Sequence, residues 1–94
     1  MKITTKSGFN CEVDPEVLND YEFLELAVTA MNGNKVQQSA ATFQMIRGLL
    51  GEVQEQALKE HLREENGRVP FDKMGAELLE ILAGMRQDET VKNS

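Results

Sequence analysis

Helical periodicity, cut by sharp stop signals, constrains this chain more than any other feature. The apolar residues Phe71, Met74, Leu78, Ile81, Leu82 and Met85 recur at helical spacing and share about 100° of arc, with Asp72, Lys73, Glu77 and Glu80 outside it. Val69-Pro70 forces an extended link before this stretch, because a residue preceding proline avoids the α region. The spacing predicts a helix from near Pro70 or Phe71 to near Arg86, too clean a stripe to face water. Residues 87–94 hold one large apolar residue, Val91, and read as a flexible polar tail.

Two more helical stretches precede it. Lys35 to Leu50 carries Val36, Ala40, Phe43, Ile46 and Leu50 on one side and Ala41, Met45 and Leu49 on the opposite side. A helix with two apolar sides is either central in a core or carries an interface. Gly48 and Gly51 weaken it and mark its end. A weaker stripe of Val53, Ala57, Leu58, His61 and Leu62 predicts a helix from Glu52 to Glu65, ended by Asn66-Gly67.

The first residues have a different period. Phe9, Cys11 and Val13 alternate with Asn10 and Glu12, and Ser7-Gly8 is a turn signal after Lys2–Thr5. This predicts a β-hairpin with Ile3, Phe9, Cys11 and Val13 on its buried face. Two strands are marginal alone, so that face needs helices to cover it. Asp14-Pro15-Glu16 starts a helix or a short turn, and Asn19 with Glu22 offers a second start. Residues 20–32 are read as helical, with Tyr21, Phe23, Leu24, Ala27, Val28 and Met31 on one side. Asn32-Gly33-Asn34 stops that helix, with Gly33 expected in the left-handed conformation. The fold class is therefore mainly α (α+β): a short N-terminal hairpin on a three- to four-helix bundle, one domain over 1–86. Phe71, Leu78 and Leu82 are expected to be buried with Leu24 and Val28.

Composition narrows the chemistry. The chain has 94 residues and a net charge of −6, with one cysteine and one histidine. No run of apolar residues is long enough to span a membrane. Cys11 has no partner for a disulfide and reads as a small buried hydrophobe rather than a nucleophile. His61 with Glu64 and Glu65 has metal-like helical spacing, but one His and no further cluster leave it a boundary residue. The glycines form no phosphate-binding loop, and no Ser or Cys stands with His and an acid in a local catalytic signature. The reading is non-enzymatic, with no cofactor and no metal.

Residues 14–34 carry Asp14, Glu16, Asp20, Glu22 and Glu25 and no Lys or Arg. Such a field repels phosphate backbones. The glycine break after Leu50 resembles a helix-turn-helix, but its second helix would present Glu52, Gln54, Glu55 and Gln56 to bases, a poor reader. An acidic inhibitor or DNA mimic is the stronger alternative, and no nucleic-acid binding is expected.

The order of features resembles a family. The hairpin Lys2-Ile3-Thr4-Thr5-Lys6-Ser7-Gly8-Phe9 leads to Tyr21-Glu22-Phe23-Leu24-Glu25. Leu49-Leu50-Gly51-Glu52 continues to Leu58-Lys59-Glu60-His61-Leu62-Arg63, then Asn66-Gly67-Arg68-Val69-Pro70. From residue 1 to about 86 the chain resembles the small acidic tail assembly chaperones of long-tailed phages and prophages of Gram-positive bacteria. These are packing and turn residues without a chemical signature. The resemblance implies a non-enzymatic protein in the cytoplasm of the bacterial host, absent from the mature virion. It implies binding to the tape measure protein, help to tail tube protein polymerising around it, self-association, and in many phages a longer frameshifted form. The expected partner-binding patch is Met45 and Leu49 with Ala41, contacting a second copy or an apolar helix of the tape measure. The competing account is that the hairpin or the next helix covers this side.

Overall fold

The computed structural model describes residues 1–93, with side chains described for residues 1–86. The hairpin forms as the alternation requires. Strand β1 (Lys2–Thr4) pairs antiparallel with β2 (Asn10–Glu12), Ile3 opposite Cys11. The Gly8 N–H donates to the Thr5 carbonyl at 2.9 Å, closing a turn that needs φ +91° at Gly8. Phe9, Cys11 and Val13 are buried and Ile3 half-buried, all on the predicted face.

Asp14-Pro15 opens a 3₁₀ turn over Pro15–Asn19, and a separate helix α1 (Tyr21–Asn32) follows. Its cap is Asp20, whose carboxylate accepts from the Phe23 N–H at 2.9 Å, rather than Asn19. Gly33 has φ −74°, not the left-handed value expected. Its need is for room: a Cβ there would stand 2.8 Å from Gln37 Cβ and from the Thr29 carbonyl oxygen. Asn34 then caps α2 (Lys35–Leu62) in a reciprocal pair with Gln37, at 2.9 and 3.0 Å.

The break expected after Leu50 appears as a kink inside α2, where Gly51 has φ 77° and ψ 168°. Beside the kink, Gln54 Nε2 donates to the Leu50 carbonyl at 2.8 Å. The same amide pairs with β2: it donates to the Glu12 carbonyl at 2.7 Å and accepts from the Glu12 N–H at 2.6 Å. Gln54 thus fastens the strand edge to the kink. The helix ends at Leu62, not Glu65, and Gly67 (φ 87°) turns the chain toward α3 (Phe71–Asn93). The last helix continues past the end expected near Arg86. The flexibility expected of the polar tail over 87–94 lies outside what is described.

The fold is mostly helical with three α-helices and a two-stranded hairpin, a small α+β arrangement. Its core joins the hairpin face to Phe23, both apolar sides of α2, and Met74, Leu78, Ile81 and Met85 of α3. Leu58, Ile81 and Met85 are fully buried. The hairpin seats on α3 where Ile3 Cδ1 would lie 3.2 Å from a Cβ on Gly84.

Several sequence expectations are corrected here. Ala41, Met45 and Leu49 are buried, so they form no surface patch. The two-residue turn at Gly33-Asn34 folds α1 back along this side of α2. Phe23 of α1 packs over Gly48, its Cδ1 at 4.0 Å from the Cβ position there, an ordinary van der Waals distance. The other α2 stripe splits: Ile46 and Leu50 are buried, whereas Val36 and Phe43 are exposed. On α1 only Phe23 is buried, with Leu26, Ala27 and Ala30 half-buried. Leu24, Val28 and Phe71, expected in the core with Leu78 and Leu82, are exposed. Val53 is exposed, and Glu55 takes an inward position on that part of α2.

Candidate functional site

The hairpin tip gathers a serine, a histidine and an acid that the sequence holds far apart. Ser7 Oγ donates to Glu77 Oε1 at 3.0 Å and lies 3.1 Å from His61 Nε2. The same Nε2 stands 3.0 Å from the Ser7 carbonyl oxygen. A carbonyl only accepts, so Nε2 carries the proton and donates. It then has no lone pair with which to take the Ser7 proton. Glu77, moreover, binds the serine directly and not the histidine, unlike an acid that orients a catalytic base. The cluster is arranged to hold the hairpin tip against α2 and α3. No local signature could have revealed it, because Ser7, His61 and Glu77 lie on three separate elements.

His61 is thereby engaged with Ser7, and Glu64 pairs with Lys73 Nζ at 3.3 Å. Among the described residues, no group of three or more His, Cys, Asp or Glu side chains could hold a metal ion. Among the described residues, no helix is long and apolar enough to cross a membrane. Glu55 and Gln54, expected at the front of a reading helix, are occupied elsewhere. Glu55 is buried and accepts from Arg47 Nε at 3.2 Å across the kink, while Gln54 is tied to β2. Cys11 is buried as expected; burial first, then the charges of Glu77 and Glu12, push its thiol pKa up. That is the opposite of an activated nucleophile.

The feature with capacity for a partner is an apolar groove of about 680 Å³ between α1 and α3. Leu24 and Met31 form the α1 wall, Met45 part of the floor, and Gly75, Leu79 and Leu82 part of the α3 wall. Met31 is 77% exposed and Leu79 67% exposed, although both are large and apolar. Among the described residues, Asp72 and Arg86 are the first and last of α3 to line it. A contiguous apolar concavity of this kind marks an interaction site more often than scattered surface hydrophobes do.

A second concavity, about 510 Å³, lies beside Phe43 and Phe71, whose rings meet edge to face at 5.5 Å. Two of its cations are already paired, Arg47 with Glu55 at 3.2 Å and Arg63 with Glu60 at 2.9 Å. The Arg63 hydrogen bond, with that charge beside it, holds the Glu60 carboxyl below its ordinary pKa. This smaller pocket therefore offers less free capacity than the groove.

Comparison with protein-family models, curated proteins and solved structures found no match. The expected patch of Ala41, Met45 and Leu49 forms the inner side of α2, and the groove opens above it. Of its exposed residues, Leu24 and Met31 share the apolar side of α1 read from the sequence, whereas Leu79 lies outside the stripe read for α3. A signal for the first two exists. The apolar residues of α1, from Leu26 round to Tyr21, sweep about 220° of arc, more than one neighbouring helix can cover.

Proposed function

We propose that the protein is a non-enzymatic tail assembly chaperone of a phage or prophage. It binds and solubilises the tape measure protein in the bacterial cytoplasm while tail tube protein assembles, and it does not remain in the virion. The observation that carries this reading is the open apolar groove between α1 and α3, with Met31 and Leu79 exposed on its walls. A long helical partner exposes apolar stripes until it is packed, and a groove between two helices takes such a stripe by the usual helix-in-groove geometry. Met31, exposed on the α1 wall, can adapt its shape to different segments. The chain's net charge of −6 keeps the complex soluble.

The test is co-expression with the tape measure protein of the phage or prophage that encodes this chain. The expected result is that the tape measure is soluble only with this chain and co-purifies with it. A Met31→Glu, Leu79→Glu variant should fold and leave the tape measure insoluble. A tape measure that stays insoluble with the unaltered chain, or that the variant solubilises equally, would overturn the reading.

A further inference from the structure

We infer that a second copy of this chain docks on the α3 wall of the groove, with the two α3 helices antiparallel across a twofold axis at Leu79. The inference goes beyond the tape measure reading and stands without it, because it assigns what covers the groove in the chain alone.

Spacing gives the surface. Asp72, Leu79 and Arg86 lie seven residues apart on α3, line the groove and are exposed. The turns between them present Gly75-Ala76 and Leu82-Ala83 to the same groove. This is the seven-residue repeat of a helix-pairing seam. It is separate from the stripe that serves the core, where Met74, Leu78, Ile81 and Met85 are buried. Leu79, at the middle of the seam, is 67% exposed.

Symmetry chooses the occupant. A twofold axis through Leu79 brings together positions equally far before and after it, since such an interface pairs a surface with itself. Asp72 then faces the second copy's Arg86, an acid against a base, and the same pair recurs at the other end. Gly75 faces the second copy's Ala83, small against small, and Ala76 faces its Leu82, small against large. Small residues let the two helices come close, and Leu79 meets its own counterpart on the axis. A parallel pair would set Asp72 against Asp72 and Arg86 against Arg86, so charge fixes the direction. An apolar helix of another protein would use Leu79, but it leaves unexplained an acid and a base at equal distances from it.

The test is sedimentation of the full chain and of variants whose circular dichroism spectra are unchanged. The unaltered chain should be a dimer at roughly 0.1 mM. Leu79→Glu sets two carboxylates on the axis and should leave a monomer. Asp72→Arg and Arg86→Asp each bring like charges together and should weaken the dimer at least ~tenfold at low ionic strength. The double exchange Asp72→Arg, Arg86→Asp restores opposite pairs and should recover most of that loss. If Leu79→Glu does not fold, the three charge variants decide alone. A monomeric chain at that concentration, a dimer that Leu79→Glu leaves intact, or a double exchange no tighter than the single ones would overturn the inference. A monomeric chain that keeps the tape measure soluble sinks this inference and leaves the function standing. A dimer with this charge pattern beside an insoluble tape measure does the reverse.

Discussion

Thr5 Oγ1 donates to Glu77 Oε1 at 2.7 Å, a bond between two buried residues 72 positions apart. Ser7 Oγ donates to the same oxygen, and Glu80 accepts from the Lys6 N–H at 2.9 Å. The hairpin tip is thus held to α3 by polar bonds, while Ile3 over Gly84 supplies the apolar contact. Glu77→Leu should cost about 1–3 kcal/mol, because it removes the acceptor shared by the Thr5 and Ser7 hydroxyls and leaves buried Thr5 with Ser7 Oγ at 3.1 Å as its partner. Adding Thr5→Val should recover part of that loss. Urea denaturation of both single variants and the double variant measures the coupling, expected at about 0.5–3 kcal/mol. Strict additivity would mean that the bond contributes nothing.

Two glycines in helices should respond oppositely to alanine. Gly51 has φ 77° and ψ 168°, a region nearly closed to other residues, so Gly51→Ala should destabilise by about 1–3 kcal/mol. Gly75 sits inside α3 with open space around its Cβ position. Gly75→Ala should therefore stabilise by about 0.5–1 kcal/mol. Thermal melts separate them, since 1 kcal/mol moves Tm by roughly 4–8 °C in a domain of this size.

Cys11 gives a pH-dependent prediction. Burial, Glu77 and Glu12 raise its thiol pKa in the folded state, so the unfolded chain releases its proton first as pH rises. The stability this thiol contributes is complete below the ordinary thiol pKa of about 8.5 and is lost as pH climbs from there through the raised folded value. Cys11→Ser, which removes the ionisation, should flatten that alkaline fall in denaturation midpoints. In the native protein, alkylation of Cys11 should be much slower than that of a free cysteine at the same pH, and denaturant should abolish the difference.

The elements were largely legible in the sequence, whereas the faces were less so. Period two at Phe9, Cys11 and Val13 points to the core, and so does the α3 stripe at Met74, Leu78, Ile81 and Met85, with Phe71 at its start left exposed. Helices α1 and α2 have apolar residues over more than half their circumference, so periodicity alone does not choose the buried half. On α2 the choice is made by the two-residue turn at Gly33-Asn34, too short to place α1 elsewhere. On α1 the inward residues are Phe23, Leu26, Ala27 and Ala30, smaller on average than the outward Tyr21, Leu24, Val28 and Met31. Close helix packing favours the small set, and the large set is left at the groove and beside it. Glu55 and Thr5 are buried polar residues whose partners, Arg47 and Glu77, are fixed only by the kink and the tertiary fold.

That inversion of faces yields the sharpest prediction. Met45 is 4% exposed and Leu49 5% exposed, so a Met45→Glu, Leu49→Glu variant places two unpaired carboxylates in the core. It should lose more than about 3 kcal/mol, a large fraction of the ~5–15 kcal/mol that holds a small domain together. Its near-native spectrum should disappear, or its denaturation midpoint should drop steeply. Met31→Glu, Leu79→Glu makes the same chemical change on the groove walls, where both side chains meet water. Each substitution there should stay within about 0.5 kcal/mol of the parent. Comparing the two variants by thermal melting holds the added charge constant and varies only its place. Equal stability of the pair would move the core to the other side of α2 and close the groove as a site. A collapsed first variant beside a folded second one fixes Ala41, Met45 and Leu49 as the inner side, with Met31 and Leu79 free to hold a partner.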